Sequence, residues 1–189
     1  MLLGCFRRHF CILDVADVAA GNYGTHLNVY DWTTKKMTQK IDLGMEGVMP
    51  LEIRFLHNPR SAEGFVGSAL YANVYRFYKT EKGDWSAHKV IDIPPKKVEG
   101  WVLPEMPAVL TDILLSMDDK YLYLSCWVHG DLRQYDVSDP KNPKLTGQLF
   151  LGGCITKEFG VKVTEDKELK VIRIRDSIKI EKFNQMISV

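Results

Sequence analysis

Apolar and polar positions alternate in short runs along much of this chain, and the runs come in fours. Thr111–Ser116, Tyr121–Trp127, Asp131–Val137 and Lys144–Leu151 each read as a strand, with tight polar turns between them. Period-two alternation bounded by turn residues predicts half-buried strands joined by hairpins. The same plan occurs earlier as Leu51–His57, Gly64–Leu70, Val74–Lys79 and Trp85–Ile93. Its turns carry Asn58-Pro59, Tyr71-Ala72-Asn73 and Lys82-Gly83-Asp84, residue types that reverse a chain. Ahead of it stands half a unit, His26–Trp32 and Met37–Leu43. Aligning third strands sets Leu27-Asn28-Val29-Tyr30-Asp31 beside Leu132-Arg133-Gln134-Tyr135-Asp136, each closing on Tyr-Asp before a polar turn.

A repeated four-stranded unit predicts propeller blades, each of which needs neighbours to cover its two faces. The expected fold is all-β: a partial β-propeller of about two and a half blades within one incomplete domain. The half blade covers 13–46, the second blade 48–98 and the third 107–153. Between the last two, Pro94–Pro107 holds four prolines, which cannot sit inside a ladder, so the segment reads as an ordered crossing loop rather than a strand. Trp101, Val102, Leu103 and Met106 are too apolar for a solvated interdomain tether. Beyond Gly153 the pattern fades, and the sequence leaves strand, helix and disorder open for the closing stretch.

Composition narrows the partners. Hydrophobic residues make up 46% and charged residues 26%, globular values that argue against bulk disorder. With 25 basic and 24 acidic side chains, no basic surface is available for a phosphate backbone, so nucleic acid is not an expected partner. Cys5, Cys11, Cys126 and Cys154 form no CxxC pair; reduced thiols in the cytosol are expected, with nuclear or peripheral membrane presence left open. The opening residues lack the continuous apolar core of a signal peptide, and no transmembrane segment is expected.

The wording of the repeats is similar to the selenium-binding protein family, which includes methanethiol oxidases. The resemblance is carried by Tyr23-Gly24-Thr25-His26-Leu27, by the run Pro50 to Pro59, and by Gly64-Phe65-Val66-Gly67 and Arg76-Phe77-Tyr78-Lys79. It continues through Ile93 to Val98, Leu103 to Pro107, Thr111 to Ser116, Trp127 to Asp136 and Leu145 to Gly153. It runs roughly from Leu13 to Lys170, and 1–12 and 171–189 read as divergent ends. Such proteins resemble a seven-bladed propeller, so this sequence looks like an internal slice of a longer parent. A genuine truncated product and a gene-model artefact give the same picture.

For a complete parent, the resemblance implies oxidation of a small thiol such as methanethiol, with oxygen as acceptor and copper held by histidines. Imidazole suits copper. The candidate ligands are His26, His57 and His129, each inside a matching stretch, and any shared site must be assembled across blades because their spacing is long. A structural role competes at each: His57 adjoins a turn, His129 sits in the loop between second and third strands, and His26 aligns with Asp131 at a strand entrance. If loops alternate ends, His57 and His129 open on opposite faces. Glu52 and Asp112, in matching places of two first strands, are candidates to orient ligand histidines or move protons. Simple contact with water or backbone is the plainer expectation for both. The family's cysteine associated with selenium belongs to an earlier stretch, so no selenium site is expected here, although selenium association of the family remains implied. Catalysis by this chain alone is not expected, and open blade edges invite self-association. The alternatives are a non-catalytic selenium-binding or interaction scaffold, or a truncated product without independent function.

Overall fold

The computed structural model describes residues 2–4, 17, 20–156 and 159–165. The readings placed on 171–189 and on most of 1–12 lie outside these residues. Strand follows strand because β-branched and aromatic residues alternate with polar ones between turn signals. The first sheet holds β1 (Leu2–Gly4), β2 (His26–Tyr30) and β3 (Met37–Asp42), in that order. A short 3-10 turn, Met45–Gly47, leads to the second sheet: β4 (Pro50–Phe55), β5 (Glu63–Ser68), β6 (Asn73–Lys79) and β7 (Trp85–Asp92). After β8 (Lys96–Glu99) and β9 (Glu105–Met106) comes the third: β10 (Leu110–Leu115), β11 (Tyr121–Cys126), β12 (Asp131–Asp136) and β13 (Lys144–Phe150). The last two sheets are four-stranded antiparallel meanders in simple sequence order.

The sheets stack through apolar faces. Leu27, Val29 and Ile41 of the first meet Val66, Tyr75 and Phe77 of the second. On its other face the second sheet contributes Phe65, Val74 and Ile91 to a core shared with Ile113, Leu122, Leu124 and Tyr135 of the third. Alternate residues of one strand therefore enter different cores: Val74 points one way, Tyr75 and Phe77 the other. Cys126 is a buried member of the second core, as its place inside a strand predicts. The chain is thus all-β with repeated four-stranded sheets stacked in sequence, the arrangement expected of propeller blades.

The reading of Pro94–Pro107 as strandless is corrected. β8 and β9 lie within it and pair with each other, and β14 (Lys162–Glu165) joins the far edge of β8. Pro94 and Pro95 precede β8, while Pro104 and Pro107 flank β9, so no proline occupies a ladder position. Lys96 and Val98 are buried while Lys97 and Glu99 are exposed, the alternation of a one-sided strand. Val98 and Met106 join Val109, Val128 and Val161 in a third apolar cluster that roofs one end of the β10–β13 sheet.

Both first strands start alike. Met49 (φ 64°) precedes β4 and Val109 (φ 53°) precedes β10, and a register irregularity follows each at the entrance to the strand. A β-branched residue in the left-handed region is strained and persists only where its surroundings hold it. The Val109 carbonyl accepts from Trp127 N–H at 3.0 Å and the Met49 carbonyl from Ala69 N–H at 3.0 Å. Each link ties the strand entrance to the residue that follows the sheet's second strand.

Candidate functional site

The β11–β12 loop, Trp127 to Gly130, is built by close backbone approach. Gly130 has φ 74°, and a Cβ there would collide with the Gly152 carbonyl, so the Gly152-Gly153 pair after β13 packs directly on the loop. Leu151 N–H donates to the Gly130 carbonyl at 2.7 Å and Cys154 N–H to the Val128 carbonyl at 3.0 Å. On the opposite side Val128 N–H reaches the Ala108 carbonyl at 3.0 Å. Loop, sheet end and crossing strand form one knot.

His129 lies inside it, with no exposed surface. Its Nε2–H donates to the Met106 carbonyl at 2.9 Å, which fixes the tautomer because a carbonyl only accepts. Nδ1 then holds a buried lone pair with no hydrogen-bond partner among the described residues. Burial lowers the His129 pKa below the ordinary imidazole value. The Met106 bond and Asp131 oppose that shift; Lys96 and Arg133 add to it.

Beside it, Asp131 and Arg133 share one face of β12, two residues apart. Arg133 Nε donates to Asp131 Oδ2 at 2.8 Å, both side chains being wholly buried. Gln148 Nε2 donates to the same oxygen at 2.5 Å, and Asp131 Oδ1 has no partner among the described residues. Lys96, also buried, sits 5.8 Å from the centre of the Phe150 ring. This buried polar cluster was not singled out from sequence. The Asp131-Leu132-Arg133 alternation, which puts both charges on the core side of a strand, was the available signal.

The other candidates are dispersed. His57 follows β4, and its Nδ1 lies 2.7 Å from Asp119 Oδ1. The backbone N–H groups of His57 and Asn58 donate to the two Asp119 oxygens at 2.9 and 3.0 Å. Asp119 is therefore a clamp between the second and third sheets. It sits in the β10–β11 turn, whereas His129 sits in the β11–β12 loop, so strand direction places His57 and His129 at opposite ends of the stack. His26 opens β2 opposite Asp42, near Gly24, whose carbonyl accepts from Met49 N–H at 2.9 Å ahead of β4; it thus lies at the His129 end. Partial burial and Lys40 lower its pKa against the pull of Asp42.

Glu52 and Asp112 are brought together, but by an arginine. Arg54 lies 3.0 Å from Glu52 and 3.8 Å from Asp112, and its Nε donates to the Ile113 carbonyl at 2.9 Å. The three form a tie between adjacent first strands, and Arg54 had not been singled out. Among the described residues, no group of three or more His, Cys, Asp or Glu side chains is placed to hold a metal ion. Among the described residues the donor set for copper is therefore not assembled: one buried imidazole lone pair beside two cationic side chains does not make a centre. Among the described residues no helix is long and apolar enough to cross a membrane.

One comparison with known proteins, that with the family profile, extends beyond the stretch whose wording carries the resemblance. Methanethiol oxidase of Danio rerio is 64% identical over 154 residues, which is 82% of this chain and 34% of that protein. Methanethiol oxidase of Homo sapiens is 63% identical over 155 residues, 82% of this chain and 33% of that protein. The chain thus spans about a third of the length of these relatives. The crystal structure of a hypothetical selenium-binding protein from Sulfolobus tokodaii superposes with a TM-score of 0.65 at 39% identity, covering 69% of this chain and 31% of that one. The sequence profile described as 56 kDa selenium-binding protein matches residues 8–189, and the chain belongs to that family.

Proposed function

We propose that this chain is an arc of stacked sheets from a thiol-oxidising member of the family, acting on a small thiol such as methanethiol only in the context of a complete ring. The identity to methanethiol oxidases, above 60% over 82% of the chain, carries this reading. Within the arc, the contribution best supported is the His129 knot. It holds one neutral imidazole in a fixed tautomer with its second nitrogen unengaged among the described residues, at the end of the stack that also bears His26. His57 is turned to the other end, where it serves as an inter-sheet clamp. Copper, oxygen chemistry and any selenium association belong to the proposal for the complete parent, whose further donors lie outside the described residues.

The test uses the purified chain with copper supplied and the full-length Danio rerio relative alongside. Bound copper is measured, together with hydrogen peroxide and sulfide released from methanethiol. The expected result is turnover by the relative and none by this chain, with less than one copper bound per molecule. Turnover by the chain alone overturns the reading.

A non-catalytic interaction module is the second reading, and one observation favours it. The outer face of the β10–β13 sheet, including Leu114 at 51% exposure and half-buried Tyr123 and Leu132, has no sheet stacked on it among the described residues. Such a face invites association with another chain or with a second copy.

A further inference from the structure

In the second and third sheets the second strand lies between the first and third: β5 pairs with β6 and β11 with β12, both antiparallel. The first sheet has a strand in the matching place, but its source differs. β1 pairs antiparallel with β2, Leu2 opposite Val29, Leu3 opposite Asn28 and Gly4 opposite Leu27. It also lies against β4, as β5 lies against β10 across the next interface. Residues 2–4 precede the family match, which starts at residue 8. A segment outside the family match thus fills the place that the second strand holds in the other two sheets.

We propose that the edge of β2, walled by β4, is a strand-accepting site, filled in this chain by its own Leu2–Gly4. The ligand class it takes is a short extended peptide added antiparallel through main-chain hydrogen bonds. An unfilled edge presents a row of unpaired N–H and C=O groups, a template for another strand. This edge is preorganised, because Leu27 and Val29 are buried against the second sheet and hold β2 extended. The occupying strand is only three residues long, so a few backbone bonds hold it and a peptide in trans can compete. The proposal rests on strand placement and is independent of thiol chemistry.

The experiment is hydrogen exchange read by mass spectrometry on three full-context proteins: the chain, a variant lacking residues 1–7, and a Leu2→Pro/Leu3→Pro variant. Adjacent N–H groups of a strand point in opposite directions, so the double proline removes whichever one faces β2. Expected is at least a tenfold loss of protection across His26–Tyr30 in both variants, with β11 and β12 unchanged. A synthetic peptide of residues 1–8 carrying Cys5→Ser should restore protection saturably to the shortened chain, and the same peptide with both prolines should not. Equal protection of β2 in all three proteins overturns the proposal, as does restoration indifferent to the prolines. Loss of protection throughout the shortened chain, β11 and β12 included, also overturns it, since it would make β1 a general folding element and not the occupant of a local slot.

Discussion

His129 is held neutral in the folded chain chiefly by burial, and this has a pH signature. Its folded pKa lies below the unfolded value of about 6.5, so its contribution is fully present above that value. As pH falls below about 6.5 toward the depressed folded pKa, the unfolded state takes up the proton first and stability declines. The melting temperature of the chain should therefore drop between pH 7 and pH 5 more steeply than that of a His129→Asn variant. A parallel slope in both would remove His129 as the source. The neighbouring ion pair makes a second prediction. Arg133→Met leaves the Asp131 carboxylate buried without its cation and should cost about 3–5 kcal/mol in urea denaturation. Adding Asp131→Asn should recover part of that loss, a coupling read from the double-mutant cycle. At the other end of the stack, burial alone would raise the Asp119 pKa, but the bonds from His57 and Asn58 outweigh it and hold it below the ordinary carboxylate value. The stability this clamp adds is present above the unfolded pKa of about 3.9 and is lost as pH falls through the folded one. Of these three interactions, the Asp131–Arg133 pair had a local signal in its i, i+2 alternation on β12, whereas the other two join positions whose partners depend on how loops and sheets pack. His57 and Asp119 are 62 residues apart, and no local spacing announces them.

At the scale of elements, the turn that carries His129 depends on glycine for space as well as for conformation. Gly130→Ala puts a methyl into the Gly152 carbonyl at positive φ and should cost about 2–4 kcal/mol, with exchange protection lost first around Val128 and Cys154. Gly83→Ala is the control: φ is 89° there but nothing lies within 4 Å, so only about 1 kcal/mol of backbone strain is expected. The strands of the two full sheets, and β2 and β3 of the first, were readable to within about two residues, since alternation and turn chemistry agree locally. The crossing segment was not. Its prolines pointed correctly to irregular backbone but hid two short strands between them, and β8 completes its pairing only with β14, far along the chain. The left-handed entrances at Met49 and Val109 were equally hidden, because the usual marker, glycine, is absent at both.

For the molecule as a whole, the repeat in the sequence translated directly into stacked sheets, because each sheet's two apolar faces are written on alternate residues of its strands. The number of blades in a closed ring is not legible in the repeat, since closure depends on how every sheet of a ring packs on the next. Self-association should respond to the side of the β10–β13 sheet on which no sheet is stacked among the described residues. Leu114→Lys, at a half-exposed position, should shift sedimentation toward the monomer without lowering the melting temperature. Persistence of the same oligomers would show that another surface joins the copies.

Among the described residues the β4–β7 sheet enters both face-to-face cores, whereas the first and third sheets each enter one, the third being roofed only at one end by the Val98 cluster. In a nearest-neighbour array, the member with two contacts is the last to melt. Loss of structure should thus run inward from the flanks like a fraying rope, leaving the middle layer as the final cooperative remnant.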